Sequence, residues 1–294
     1  MDFTDYKHTM LCKVQLFLGN EYEVSEQRVT KNNGVVLTGI MAKKQGINTF
    51  PTIYIDEYYN EELTSEDVEY LSMKLAKSLT KAELPKSIEL EQFTDYERVR
   101  DRLKLKLVNA DKNKDLLFEV PYKRFLNLAV LYYYQVEEEL FEGRASIMIR
   151  NSHLSMWGID QETLDRDAMD SVRIISPAKI CPMRELLAEL YGDDFLKEDF
   201  PMYVMTNKEK YYGASTMMYR ECLKKFADEK ETDFYVLPSS VHEVILVPAD
   251  ENADAKMLLE TVTDINRTQV DREEILADSV YYYDREKDEL SWIG

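Results

Sequence analysis

The sequence predicts an α+β fold, with mainly antiparallel sheets and helices packed on one face, divided between two subdomains. Two patterns predict this fold. Residues 233–268 contain two short apolar strands, each followed by a proline, and then an amphipathic helix. Residues 5–79 contain a helix, three strands separated by turns, and a second helix. Because a one-sided helix must bury its apolar face against other elements, each region predicts a core of its own.

The first predicted subdomain, residues 1–84, is an α-β-β-β-α unit. Gly19 suits the left-handed stop of the first helix, and Asn33 and Gly34 supply turn chemistry between the first two strands. Thr64 is placed to cap the second helix, whose apolar side chains recur every three or four residues. The predicted elements are helices over 5–18 and 64–79 and strands over 22–30, 35–41 and 50–55.

The second predicted subdomain, residues 85–294, mixes short strands with helices. Thr94 and Glu97 have the spacing of a capping box, and Asp160 is placed to cap a later helix. Residues 102–107 fit either the end of the helix that begins near Thr94 or a strand in which leucines alternate with basic residues. Apolar runs predict strands at 125–134, 145–149, 203–205, 234–237, 244–247, 280–283 and 290–293, and periodicity predicts further helices at 182–191, 215–227 and 257–265.

The composition argues against two classes of partner. With 37 basic and 56 acidic residues among 294, the formal net charge is −19, which repels nucleic-acid phosphate and anionic lipid. The richest basic run, 98–106, has no aromatic residues between its charges and is interpreted as a solvated helix face. The longest apolar run, 125–134, is about half the length of a membrane helix. We therefore expect neither direct nucleic-acid binding nor a membrane.

The sequence also predicts a cytoplasmic location and no cofactor. The first residues lack the basic flank and apolar core of a secretory signal, and the three cysteines are odd in number and not closely spaced. No glycine pair has the spacing of a dinucleotide fingerprint. His8, His153 and His242 lie far apart and no zinc-binding motif occurs, so no His/Cys metal site is predicted. A site made of carboxylates alone stays open.

Ser239, Ser240, His242 and Glu243 form the first candidate binding cluster, at the turn between two predicted strands. On an extended strand, Ser240 and His242 would point to one face, and Ser239 and Glu243 to the other. A nucleophilic serine needs a base in hydrogen-bond reach and a third group that orients the base, and the nucleophile-elbow motif is absent. The favoured interpretation is a structural turn with a hydrogen-bonded histidine, and catalysis is the alternative.

Asn151 and His153 form the second candidate cluster, at the exit of a predicted strand. Asparagine suits a turn or a helix cap, and His153 lies one turn before Trp157, so a structural role is favoured over a ligand site. Two tyrosine triplets, 132–134 and 281–283, are interpreted as strands with alternate rings in the core. No catalytic residue is predicted.

Five segments resemble the recurring blocks of an uncharacterised bacterial family, a domain of unknown function found chiefly in clostridial gut bacteria. The segments are NTFPTIYIDEYY, IRNSHLSMWGIDQETLDRDA, MYVMTNKEKYYGA, FYVLPSSVHEVILVP, and INRTQV followed by EILADSVYYYDR. They span nearly the whole chain. The resemblance implies a bacterial cytoplasmic protein, and it implies no activity, ligand or site residue.

Three functional hypotheses follow. The leading one is a non-enzymatic binding or interaction protein, since no mechanistic motif accompanies the acidic, tyrosine-rich composition; another protein is one candidate partner. The second is a small-molecule hydrolase whose polar groups, such as Ser240, His242 or His153, converge from separate segments. The third is an acidic mimic of nucleic acid that blocks a basic cleft of another protein. A histidine held between a hydroxyl and a carboxylate would favour the second hypothesis, and an exposed aromatic patch the first.

Overall fold

The computed structural model describes residues 1–44, 52–81, 93–135, 146–192, 201–250 and 253–293. Helices and three antiparallel sheets combine in an α+β fold, as the sequence predicts. The described residues divide into two compact units, 1–81 and 93–293. The predicted subdomain boundary after residue 84 falls outside the described residues and stays a prediction. None of the described helices is both long and apolar enough to cross a membrane.

The first unit packs two helices against a three-stranded antiparallel sheet. Its elements are α1 (Phe3–Leu18), β1 (Tyr22–Thr30), β2 (Val36–Lys44), β3 (Thr52–Tyr54) and α2 (Ser65–Lys81), with the strand order β1-β2-β3. Asn33 and Gly34 both have positive φ, 58° and 69°, which lets the chain reverse between β1 and β2. Tyr6, Met10 and Val14 recur every four residues on α1 and are fully buried in the core of this unit.

The second unit contains two further antiparallel sheets. The four-stranded sheet consists of β4 (Leu103–Asn109), β6 (Leu128–Gln135) and β5 (Tyr122–Phe125) in that order, with β7 (Ser146–Met148) also paired to β6. The six-stranded sheet consists, in order, of β13 (Glu289–Trp292), β12 (Tyr281–Asp284), β10 (Phe234–Leu237), β11 (Val244–Pro248), β9 (Tyr203–Asn207) and β8 (Ala178–Pro182). The described helices are α3 (Tyr96–Val99), α4 (Lys114–Glu119), α5 (Asn151–Trp157), α6 (Gln161–Ile175), α7 (Met183–Tyr191), α8 (Arg220–Lys230) and α9 (Ala255–Thr268).

Predicted elements of the second unit differ from the structure at several places, and one open alternative is decided. The apolar run 125–134 is not one strand, because the chain turns between β5 and β6 at Leu126, whose φ is 55°. The ambiguous residues 102–107 fall mainly in β4, which pairs with β6 over its whole length. Pro182, predicted to open a helix, instead ends β8, and α7 begins at the next residue.

Tyrosines fill much of the core of the second unit. On β6, Tyr132, Tyr133 and Tyr134 are all buried, so the predicted alternation is wrong there because β6 is covered on both faces. On β12, by contrast, the alternation is confirmed, with only the middle ring of the triplet half-buried. The hydroxyls donate to polar partners, which satisfies groups that burial removes from water. These bonds join Tyr132 to Asp165 (3.0 Å), Tyr96 to Asp167 (3.0 Å), Tyr282 to Asp233 (2.5 Å), Tyr283 to Asp288, and Tyr281 to Asn127 (2.8 Å).

Candidate functional site

Two turns of the second unit meet at the same end of the six-stranded sheet. β9 pairs antiparallel with β11. The turn 208–213 that follows β9 therefore lies beside the turn 238–243 that precedes β11. The loop 271–277 reaches the same place, since Val241 N donates to the Glu274 carbonyl oxygen at 2.8 Å. Side chains from three separate stretches of sequence converge at this end of the sheet.

The turn after β9 holds two tyrosines in a constrained geometry. The Asn207 side chain brackets the turn, accepting from Tyr211 N at 3.1 Å and donating to the Tyr211 carbonyl at 2.7 Å. Tyr212 has φ 52° and ψ 29°, the left-handed conformation, which costs a residue with a Cβ about 1–2 kcal/mol. Gly213 then passes so close to backbone that a Cβ there would lie 2.6 Å from Asn207 N and from the His242 carbonyl oxygen.

The turn 238–243 contains the first predicted cluster, and the described hydrogen bonds of Ser240 are made to main-chain groups of this turn. Ser240 N donates to the Glu243 carbonyl at 3.2 Å, and Ser240 Oγ accepts from His242 N at 3.0 Å. These bonds close a serine turn, which replaces the extended strand on which Ser240 and His242 would share a face. Ser239 is half-buried in the same turn. The Ser240 hydroxyl is therefore bonded to the main chain of His242.

The imidazole of His242 is fixed through both its nitrogens and its faces. Nδ1 accepts a hydrogen bond from Tyr212 N at 3.1 Å, and Nε2 lies 3.5 Å from Glu274 Oε1. An acceptor at Nδ1 places the proton of the neutral ring on Nε2, on the side of the carboxylate. The ring stacks on Tyr212, with centroids 5.5 Å apart and 6° between planes, and lies 5.2 Å from the Tyr211 ring. The imidazole therefore helps to hold Tyr212 in its strained conformation.

Carboxylates complete a group that we name the Tyr–His cluster, defined as Tyr211, Tyr212, His242, Glu243 and Glu274. Burial raises the pKa of the Glu243 carboxyl; the Lys210 ammonium lowers it, and the Glu274 charge raises it. Lys106 Nζ lies 4.3 Å from the centre of the Tyr212 ring, a cation–π distance. The cluster thus combines aromatic faces, one of them already covered by an ammonium, with neighbouring carboxylates.

Two features of the Tyr–His cluster bear on proton transfer. The one basic lone pair of the neutral His242 ring, on Nδ1, is bonded to Tyr212 N. Burial raises the pKa of the Tyr212 phenol well above its ordinary value, so this group stays neutral near pH 7. In the part of the chain that the structure describes, no three His, Cys, Asp or Glu side chains are grouped to hold a metal ion.

The second predicted cluster lies at the start of α5. His153 Nδ1 accepts from Arg150 N at 3.1 Å, which caps the helix, and the His153 ring lies 5.0 Å from Phe93 and 5.7 Å from Trp157. Asn151 Nδ2 donates to a main-chain carbonyl at 3.1 Å. Burial, with a further effect of the Arg150 charge, lowers the pKa of His153 and favours its neutral form. These contacts stabilise the start of α5 and a cluster of aromatic rings.

Sequence reasoning missed Tyr211, Tyr212 and Glu274. For the two tyrosines a signal existed, because an aromatic pair followed by glycine is unusual in a polar turn. Glu274 had no comparable signal, since it is one of 56 acidic residues and approaches His242 from a separate loop. Only the fold brings that carboxylate to the imidazole.

Comparison with known proteins gives one match. A family model described as Family of unknown function (DUF5688) matches residues 3–285. No curated protein and no solved structure matches the chain. The family description assigns no role to the Tyr–His cluster or to any other residue.

Proposed function

The chain belongs to the family of unknown function DUF5688, and we propose that it is a non-catalytic binding protein whose ligand contacts the Tyr–His cluster. The observation that most supports this is Tyr212, a bulky residue held in the left-handed conformation with its N–H bonded to His242. A strained backbone conformation persists only where many surrounding contacts fix it, and such residues concentrate at ligand sites. A turn built at this cost to display two tyrosines points to recognition.

The accessibility of the Tyr–His cluster supports the same proposal. Tyr211, Tyr212 and Glu243 are half-buried, so they combine a fixed position with access from solvent. The side chains of His242 and Glu274 are 23% and 44% exposed. Rigid aromatic side chains give a large contact area with little entropy to lose on binding, which favours affinity.

The hydrolase alternative has weaker support. It requires a hydroxyl bonded to a base that a carboxylate orients. Glu274 is near His242, but the Ser240 hydroxyl bonds to the His242 main chain and the Nδ1 lone pair is occupied by Tyr212 N. The nucleic-acid mimic stays a prediction that the net charge of −19 alone supports.

We further propose a cytoplasmic location and a partner that is a small molecule or another protein. Cys12, Cys181 and Cys222 are all free, as expected in a reducing cytoplasm. The net charge of −19 favours a small molecule or another protein over nucleic acid as the partner.

The binding proposal predicts that a small probe shifts the imidazole NMR signals of His242. The chain has three histidines, so these signals are assigned by their loss in His242→Gln. Ethylammonium, acetate and phenol are titrated separately, and we expect at least one to shift the His242 signals while those of His153 stay in place. If all three probes leave His242 unmoved, or shift His153 equally, the cluster is not a ligand site.

The same His242→Gln variant tests the non-catalytic part of the proposal. Hydrolysis of p-nitrophenyl acetate is expected to be equal in the two proteins, because His242 does not act as a general base. A general base contributes about 10²–10⁴ in rate, so a loss of about 100-fold in the variant would restore the hydrolase hypothesis.

A further inference from the structure

We infer that the ligand of the Tyr–His cluster carries an alkylammonium group, which rests against the aromatic rings and pairs with the carboxylates of the cluster. This inference rests on the binding function proposed above and names the chemistry of its ligand. Two independent features of the cluster, its aromatic faces and its carboxylates, each favour a cation.

The aromatic part of the Tyr–His cluster has the form of a cation-binding surface. The Tyr211 and Tyr212 ring centroids lie 4.0 Å apart, and that of His242 lies 5.2 Å from the former and 5.5 Å from the latter. The face of a phenol ring attracts an ammonium through its quadrupole. This protein already shows that interaction here, since Lys106 Nζ lies 4.3 Å from the centre of the Tyr212 ring. A second ammonium from a ligand would use the same chemistry at Tyr211.

The carboxylates supply the charge that the rings lack. Glu274 Oε1 lies 3.5 Å from His242 Nε2, and Glu243 is close enough to Glu274 for its charge to raise the pKa of the Glu243 carboxyl. The Glu273 charge likewise raises the pKa of the Tyr212 phenol. Against these three acids stand two cations, Lys210, which faces Glu243, and Lys106, which lies over the Tyr212 ring. The neutral form of His242 adds no positive charge, so a bound ammonium would relieve the repulsion between the acids.

Other ligand classes fit the same groups less well. An anion would meet the Glu243 and Glu274 carboxylates, and like charges at short range disfavour binding. A neutral aromatic ligand would contact the rings but would remove water from half-buried carboxylates without replacing its hydrogen bonds. An alkylammonium satisfies both parts, because its three N–H donors pair with carboxylates while its methylene groups lie on aromatic faces.

The ammonium has two possible sources, a free amine and the lysine side chain of a basic partner, and the test separates them. Putrescine and N-acetyl-lysine amide are titrated while the imidazole signals of His242 are followed, with 1,4-butanediol as the uncharged analogue of putrescine. We expect a saturable shift with at least one amine, weakened by added salt, and none with the diol. The amine that binds more tightly identifies the source.

Variants then locate the ammonium. Tyr211→Leu is expected to weaken amine binding by roughly 2- to 30-fold, the range of a cation–π contact, whereas Tyr211→Phe keeps the ring and stays within about 2-fold of wild type. Glu243→Gln and Glu274→Gln should each weaken it by up to about 5-fold. Glu97→Gln, which alters a carboxylate that is 75% exposed outside the cluster, is the matched control and should have no effect.

The outcomes distinguish this inference from the binding proposal. Equal shifts by putrescine and butanediol, or unchanged amine binding in Tyr211→Leu and in both glutamine variants, would overturn the alkylammonium inference. If neither amine shifts His242 while phenol or acetate does, the ligand class is wrong and the binding site remains. If no probe of either experiment shifts His242, both fall. Tyr211→Phe and the glutamine variants keep the test decisive should Tyr211→Leu fail to fold.

Discussion

Replacing Gly213 with alanine is expected to destabilise the second unit by about 3 kcal/mol or more. The added Cβ would lie 2.6 Å from Asn207 N and from the His242 carbonyl oxygen, closer than nonbonded atoms approach. Both atoms belong to backbone that is tied into β9 and the turn before β11, so neither can move without breaking hydrogen bonds. Urea unfolding of the variant gives the change in free energy, and the His242 NMR signals report whether the two turns separate.

The matched control is Gly158→Ala in the same unit. Gly158 has φ 67° and no atom within 4 Å of an added Cβ, so alanine there suffers only the backbone cost of the left-handed region, about 1–2 kcal/mol. We expect this variant to leave the His242 signals unchanged. A Gly213→Ala protein as stable as Gly158→Ala would show that the close approach of the two turns is not rigid.

Replacing Tyr281 with alanine is expected to cost about 4 kcal/mol or more. Tyr281 is fully buried, and loss of a buried aromatic side chain costs about 3–5 kcal/mol. Its hydroxyl also donates to Asn127 Oδ1 at 2.8 Å, and Asn127 Nδ2 donates to Ser279 Oγ at 2.9 Å. The two bonds connect β12 with the turn between β5 and β6, so the alanine variant also leaves the half-buried Asn127 side-chain oxygen without its donor.

Tyr281→Phe separates the two contributions, because it keeps the ring and removes the hydroxyl. Its cost is expected to be about 0.5–1.5 kcal/mol, the net contribution of one hydrogen bond, because Asn127 is half-buried. Phe118→Ala is the control: this side chain is 84% exposed, so its removal should change the free energy of unfolding by less than about 0.5 kcal/mol. Equal stability of wild type and Tyr281→Phe would show that the Asn127 bond does not contribute to the fold.

Locally encoded elements of the fold were predictable. Asp160 caps α6 as expected, accepting from Thr163 N at 2.8 Å. The turn at Asn33 and Gly34 and the terminal hairpin of β12 and β13 also follow from short patterns of residues. In each case the deciding interaction lies within a few positions of the signal, which is why the sequence alone was sufficient.

Elements decided by tertiary contacts were not predictable in the same way. The choice between helix and strand at 102–107 depends on pairing with β6, which no local pattern reveals. The predicted helix 215–227 is divided because Tyr219, at φ −84° and ψ 82°, separates a 3₁₀ segment, Gly213–Met218, from α8. The burial of all three tyrosines of β6 also depends on tertiary contacts, because other elements must cover both faces of the strand.

The candidate site was predictable only in part. His242 and Glu243 were singled out because histidine and glutamate beside two serines attract attention in any sequence. The partners that define the role of His242, namely Tyr212 and Glu274, come from other stretches and are brought there by the pairing of β9 with β11. Composition gives residue types, but the tautomer of an imidazole depends on which group its nitrogens face.

We propose that the His242 ring fixes the tyrosine turn and does not act as a base. The most direct test is the tautomeric state of this ring, measured by two-bond ¹H–¹⁵N correlation of the imidazoles at neutral pH. A neutral ring protonated on Nε2, with Nδ1 as a hydrogen-bond acceptor, is the expected result. A ring protonated on Nδ1 would contradict it, because Tyr212 N would lose its acceptor and the Nε2 lone pair would face Glu274 and solvent.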